Sequence, residues 1–151
     1  MRRYVFRFQA LLDTKKHFEE KYENELALLM KKQRDEETRL EEMERRLIRY
    51  HEEYVNSLKA TIEEIRRYRD YFDKLNNDIE RQVEAINNAA EEVEAKREEL
   101  IEVRKEKLAL EKLMEKDYRK YQEDMMMWER KFLDEIGTSG YIRRGGGETI
   151  Y

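Results

Sequence analysis

The sequence predicts an all-α protein. Its expected form is a long antiparallel two-helix coiled-coil hairpin over residues 1–136, turning near 56–61, with a flexible C-terminal tail over 137–151. Three observations predict it. First, nothing before Gly137 breaks a helix: the chain has no proline, and its 5 glycines all lie at or beyond that position. Good helix formers (Glu, Lys, Arg, Leu and Ala) fill the segment. Second, seven-residue steps from Leu58 meet Ile65, Phe72, Ile79, Ile86, Val93, Leu100, Lys107, Met114, Tyr121 and Trp128, and only Lys107 is neither apolar nor aromatic. A helix turns once per 3.6 residues, so a strict seven-residue stripe stays against a partner only by left-handed supercoiling. Third, the repeat changes phase after Tyr54, where the chain can turn back and become its own partner.

Residues from about Tyr4 to Val55 read as the first helix. Leu40, Met43, Leu47, Tyr50 and Tyr54 step by threes and fours, the spacing of a coiled-coil seam. Phe8, Leu11, Leu12, Phe18, Tyr22, Leu26 and Leu29 continue the stripe less regularly. It thins to Gln33 and Glu36, where polar seam positions lower stability but can fix register.

Past Tyr54 the same phase would put Ser57 and Thr61 in the seam. Asn56 and Ser57 favour caps and turns, and Thr61-Ile62-Glu63-Glu64 fits a capping box. The turn is therefore placed at 56–61. Asn76-Asn77-Asp78 and Asn87-Asn88 are rival sites, and a stutter in one continuous helix is a third reading. A single helix of about 130 residues would be roughly 200 Å long and need a second chain. A hairpin gives arms of about 75 and 110 Å. The longer arm then overhangs, leaving Met114, Tyr118, Tyr121, Met125, Trp128 and Phe132 to meet another protein, with Lys107 as the boundary of the self-paired part. Acid-before-base pairs such as Glu41–Arg45, Glu92–Lys96 and Glu115–Arg119 mark solvated faces. Gly137 reads as a helix stop.

Composition excludes several classes. Acids and bases interleave to a net charge of -4, with no basic field for nucleic acid. Without cysteine there is no disulfide, thiol catalysis or thiolate zinc site. Arg7, Gln9 and Asp13 interrupt any apolar run at the N-terminus, so neither a signal core nor a transmembrane span is expected, and the protein is placed in the cytoplasm.

No catalytic constellation emerges. His51-Glu52-Glu53-Tyr54-Val55 opens like the zinc-protease motif, but Val55 stands where the second histidine must be. Thr14 and Ile48 occupy the places three before His17 and His51, so the di-iron bundle spacing is absent too. Both histidines read as helix-surface residues. A two-helix hairpin has no water-excluding interior in which to shift carboxylate pKa values, and no glycine-rich loop precedes a helix. The expectation is a non-enzyme without cofactor or metal.

Two positive features remain. Tyr50, Tyr54, Tyr68, Tyr71 and Phe72 crowd the expected turn. Tyr54, Tyr68 and Phe72 have seam spacing, but not all of the group fits a two-stranded seam, so some tyrosine faces outward, where it suits an interface. Met125-Met126-Met127-Trp128, with Phe132, wraps most of a helix, so a methionine leaves the seam; local core and adaptable partner contact both fit. Arg2, Arg3, Tyr4, Phe6, Arg7 and Phe8 could touch an anionic membrane surface. Their apolar part is short, and they read as the first turns of the coiled coil.

Phe6-Arg7-Phe8-Gln9-Ala10-Leu11-Leu12-Asp13 resembles the N-terminal signature of the flagellar export protein FliJ family. Leu47-Ile48-Arg49-Tyr50-His51-Glu52-Glu53-Tyr54, Leu110-Glu111-Lys112-Leu113 and Leu133-Asp134-Glu135-Ile136 continue the likeness in order, from Phe6 to Ile136. Phe8 departs from the family's more usual leucine, and the segment after Tyr54 is compact where some relatives have a longer connection.

The resemblance implies a component of the flagellar type III export apparatus, at the cytoplasmic face of the inner membrane. Its implied fold is an antiparallel coiled coil similar to the central stalk of rotary ATPases. Its implied partners are the hexameric export ATPase, whose assembly it promotes from the central pore, the cytoplasmic domain of the export gate, and export chaperones. Carried over by local matching, gate contact falls on Met43, Leu47, Tyr50 and Tyr54, and on Tyr71, Leu75, Asp78 and Gln82. Of these, Met43, Asp78 and Gln82 depart from the family pattern. The open ends around Phe6–Phe18 and Met114–Phe132 would face the ATPase pore, through Phe6, Phe8, Leu11, Leu12, Met114, Tyr121, Met125, Trp128 and Phe132. The alternatives are a homodimeric structural coiled-coil spacer and a small hairpin holdase chaperone.

Overall fold

Helix propensity and capping chemistry set the two elements seen in the computed structural model, which describes residues 3–57 and 61–145. Helix α1 spans Gln9–Asn56 and α2 spans Ile62–Gly145. Helix α1 ends where the Ser57 N–H and hydroxyl both donate to the Tyr54 carbonyl, at 3.1 and 3.0 Å. The capping box forms at the start of α2. The Thr61 N–H donates to Glu64 Oε2 at 3.0 Å, and the Glu64 N–H donates to Thr61 Oγ1 at 3.3 Å, so two otherwise orphaned N–H groups are satisfied reciprocally. Within the expected turn at 56–61, residues 58–60, Leu58 among them, lie outside the described residues. Helix α2 runs unbroken through Asn76-Asn77-Asp78 and Asn87-Asn88.

Two helix ends differ from expectation. The first helix begins at Gln9 rather than near Tyr4. Residues 4–6 have no regular structure, and the Gln9 N–H closes a turn onto the Phe6 carbonyl at 3.2 Å. Burial of Phe6, only 5% exposed, outweighs the modest gain of another helical turn. At the other end α2 passes through Gly137 and Gly140. A Cβ on either would meet nothing within 4 Å. These are ordinary helical positions in open space, each costing about 1 kcal/mol relative to alanine, too little to end a long helix. Thr138 and Ser139 bond back to the Asp134 and Ile136 carbonyls there. Of the expected tail over 137–151, residues 146–151 lie outside the described residues.

The chain divides into two units. In His17–Arg104, α1 and α2 pair antiparallel: Arg104 bonds Glu19 and Glu23, Lys96 bonds Glu25, Lys32 bonds Glu92, and His51 bonds Tyr68. As α1 advances, its partners in α2 retreat. The seam of α2 alternates steps of four and three through Tyr68, Phe72, Leu75, Ile79, Gln82, Ile86, Ala89, Val93, Lys96 and Leu100, all buried or partly buried. From Phe72 to Leu100 the seven-residue repeat read from the sequence is one of the two seam rows; Ile65 before it is exposed, and Leu58 lies outside the described residues. The other contains Leu75, Gln82, Ala89 and Lys96, and its polar members hide it. Glu92 and Lys96, expected to pair with each other, reach across to α1 instead, because a coiled coil brings flanking charges of facing helices together.

One seam layer is polar. Gln82, 8% exposed, donates through Nε2 to the Glu36 carbonyl at 2.8 Å and to Glu36 Oε2 at 2.6 Å. Lys96 lies over the Tyr22 ring, 4.7 Å from its centroid, and bonds Glu25 and Glu99 at 2.8 and 2.7 Å. Both contacts are satisfied only in this register.

The second unit comprises residues 1–16 and 105–151. Leu12 is fully buried and Phe6 nearly so, and Lys15 pairs with Glu106. Leu110, Met114, Tyr121 and Met125 are partly buried. Lys107 is therefore not the limit of self-pairing, which carries on to about Tyr121. It is extended by residues 3–8, which the sequence assigned to a helix.

Gln82→Ala should lower stability by about 1–2 kcal/mol in urea titration, because it strips a buried acceptor of its donor. Replacing Glu36 and Gln82 together by leucine should raise the urea midpoint instead. An unchanged midpoint for Gln82→Ala would remove the polar layer from the energetics.

The Lys96 contact predicts a pH response. The hydrogen bond from Lys96 holds the Glu25 carboxyl below its ordinary value. Hydrogen bonds to Glu25 and Glu99 raise the Lys96 ammonium. A lowered carboxyl contributes stability above its unfolded pKa and loses it as pH falls through the folded one. The raised ammonium loses its contribution only in strong alkali. Lys96→Met should flatten the acid limb of a plot of thermal midpoint against pH, between neutrality and about pH 3.

Candidate partner-binding surfaces

Two groups of aromatic and apolar side chains are left after the seam is satisfied. The first flanks residues 57–61. The Tyr68 ring stacks on Tyr54 at 3.7 Å and on Tyr50 at 5.1 Å, while Tyr71 meets Tyr50 edge-on at 4.4 Å. His51 Nδ1 lies 2.8 Å from Tyr68 Oη, tying α1 to α2. Burial, then the neighbouring Tyr71, Tyr68 and Glu53, pushes the Tyr50 hydroxyl above its ordinary value. Tyr50, Glu53, Tyr54, Ser57, Glu64 and Tyr68 line an open groove here. Tyrosines at successive turns of the two helices interleave here, and stacking orders them.

The candidate gate positions separate by depth. Leu75 and Gln82 are buried, so they hold the hairpin and offer no surface. Met43, Leu47, Tyr50, Tyr54 and Asp78 are partly buried, and Tyr71 is exposed. Tyr71 is thus the outward-facing tyrosine that the crowding required. Tyr68, one of the crowded aromatics with seam spacing but not among the carried-over gate positions, is central to the stack.

The second group lies on α2. The Trp128 and Phe132 rings stack 5.4 Å apart at 7°, and both are about half exposed. Met126, Met127, Leu133 and Ile136 are exposed beside them, while Met125 is partly buried. Among the candidate pore positions, Phe8 and Leu11 are also exposed. Phe6 and Leu12 are buried, so they brace this unit from within. Met114 and Tyr121 are partly covered by Tyr4: its ring lies 5.1 Å from Tyr118 and 5.4 Å from Tyr121, and its hydroxyl is 3.3 Å from both the Met114 carbonyl and Asp117 Oδ2. The alternation Tyr4-Val5-Phe6-Arg7-Phe8 was the missed sequence signal, since a period of two marks extended chain.

Among the described residues no group of three or more His, Asp or Glu side chains is arranged to hold a metal, and the grooves are open to solvent. No described helix is long and apolar enough to cross a membrane. The arrangement suits contact between proteins. The family model described as flagellar FliJ protein matches residues 4–146. The chain belongs to the FliJ family. Membership implies a role connected with flagellar export. No curated protein and no solved structure is significantly similar to it. The match spans both FliJ helices and the N-terminal segment from Tyr4.

Tyr50→Ala combined with Tyr54→Ala should leave far-ultraviolet circular dichroism largely intact, because each helix is held along its whole seam. The loss in stability should stay near 1–3 kcal/mol, since both rings are only partly buried. Wholesale loss of helicity would make these tyrosines core and withdraw them as a surface.

Proposed function

We propose that the protein is a non-enzymatic stalk and adaptor of the flagellar type III export apparatus. It binds the hexameric export ATPase through the apolar face around Trp128 and Phe132, and the cytoplasmic domain of the export gate through the tyrosines around Tyr50, Tyr54 and Tyr71. Export chaperones are further contacts. It works at the cytoplasmic face of the inner membrane, held there by the apparatus, and its loss stops protein export, flagellum assembly and motility.

The observation that carries this reading is the exposed run from Met126 to Ile136 on a helix whose earlier turns are paired. A coiled-coil stripe that outlasts its partner within the chain exposes apolar area suited to another protein. Stacked Trp128 and Phe132 are the kind of rigid aromatic anchors that dominate binding energy, and methionines beside them adapt to an irregular surface. The tyrosine group is a separate surface, so one chain can serve two partners. Pairing of α1 with α2 inside the chain favours this reading over the homodimeric spacer.

Purified protein should promote hexamer formation and turnover of the export ATPase, followed by light scattering and phosphate release. Trp128→Ala with Phe132→Ala should weaken that stimulation about tenfold or more while leaving the thermal midpoint nearly unchanged, because both rings are exposed. An ATPase indifferent to the wild-type chain would sink the stalk reading. Suppressed aggregation of unrelated unfolded clients would favour the holdase chaperone instead.

A further inference from the structure

The N-terminal segment covers a stripe that the rest of the chain leaves for others. Tyr4 packs on Tyr118 and Tyr121, and Phe6 is almost wholly buried. That hold is chiefly ring contact and burial. Among the described residues the segment's backbone hydrogen bonds run only into the start of α1, from Gln9 to Phe6 and from Leu12 to Phe8. The Tyr4 hydroxyl adds two hydrogen bonds to α2, each 3.3 Å long.

The same residues have a second way to cover α2. Residues 3–8 contain neither glycine nor proline, so nothing local forbids a helix. The seam of α1, stepped back from Leu12, would reach Phe8 and Val5. As a helix the segment would turn those two toward α2. In the observed non-helical form they are exposed, and Tyr4 and Phe6 are turned in. A stretch with one apolar set at period two and another at helical spacing is a two-state element. What it covers is continuous with the exposed stripe: Tyr121 stands one seven-residue step before Trp128. A helix laid along Trp128 and continued back by two turns runs into Tyr4.

We propose that residues 3–8 form a removable strap, an autoinhibitory cover on α2 that a partner helix seated on Trp128 and Phe132 must lift from Tyr118 and Tyr121. The occupant is an amphipathic helix of the export ATPase, so the proposal rests on the stalk reading. The strap keeps the stripe short until that partner arrives, and the energy of freeing it is deducted from the partner's affinity.

The test uses the full chain with Tyr4→Ala. Surface plasmon resonance against the export ATPase should show binding about three- to tenfold tighter than wild type, because the competing closed state is depleted. Tyr4→Phe, which keeps the ring and loses the hydroxyl, should fall between. Unchanged or weaker binding of Tyr4→Ala overturns the strap and makes Tyr4 inert or a direct contact. Should the wild-type chain bind no ATPase, the stalk reading fails first. The strap is then judged by a naphthalene-sulfonate dye, whose emission should rise in Tyr4→Ala at unchanged helicity. No rise overturns it.

Discussion

A single narrow seam carries the cohesion of this protein. Charged residues make up 45% of the chain, so most of each helix surface belongs to water. What remains apolar is two rows per helix, at alternating steps of three and four, and each row is satisfied only against the other helix. Among the described residues the buried side chains are few: Phe6, Leu12, Leu75, Gln82, Ala89, Val93 and Leu100. With so little core in any one place, stability is a sum of small layers, and register matters more than any single contact. Glu36 with Gln82, and Lys96 with Glu25 and Tyr22, supply that register. Slipping the helices past one another would strand all of these groups in an apolar seam.

That constraint also shapes what the described residues offer: a seam two residues wide leaves their grooves open to solvent. What a paired helix can do is present a face. Near residues 57–61 four tyrosines must share space meant for fewer, and stacking makes them rigid. On the far part of α2 the seam rows continue after α1 has ended. Both surfaces are by-products of where the pairing begins and stops, and both are aromatic, which suits protein partners.

Much of this was legible because helices report their pairing through spacing. The breaker-free composition and the Thr61 capping box are local signals, and each became a feature of the fold; the seven-residue row is a periodic one, and it became a seam row from Phe72 to Leu100. The candidate site was legible only in part. Leu75 and Gln82 share a helix with Tyr71, but depth depends on which side α1 takes, which no row of residues states. The polar members Gln82 and Lys96 concealed the second row. Gly137 misled because glycine ends a helix through a left-handed backbone geometry, and here this position is helical. Tyr4 and Phe6 were assigned to a helix because their alternation is brief, and the contacts of Tyr4 that oppose a helix lie more than a hundred positions away.

The capping box and tyrosine stack have a consequence in time. The bond between His51 and Tyr68 joins residues 17 apart, whereas that between Tyr4 and Met114 spans 110. Closing a short loop costs less chain entropy than closing a long one, so contacts beside residues 57–61 are the accessible nucleus. Pairing then zips outward, and each layer shortens the loop the next must close. The last contacts made are those of Tyr4 and Phe6, and by the same ordering they are the first to fray.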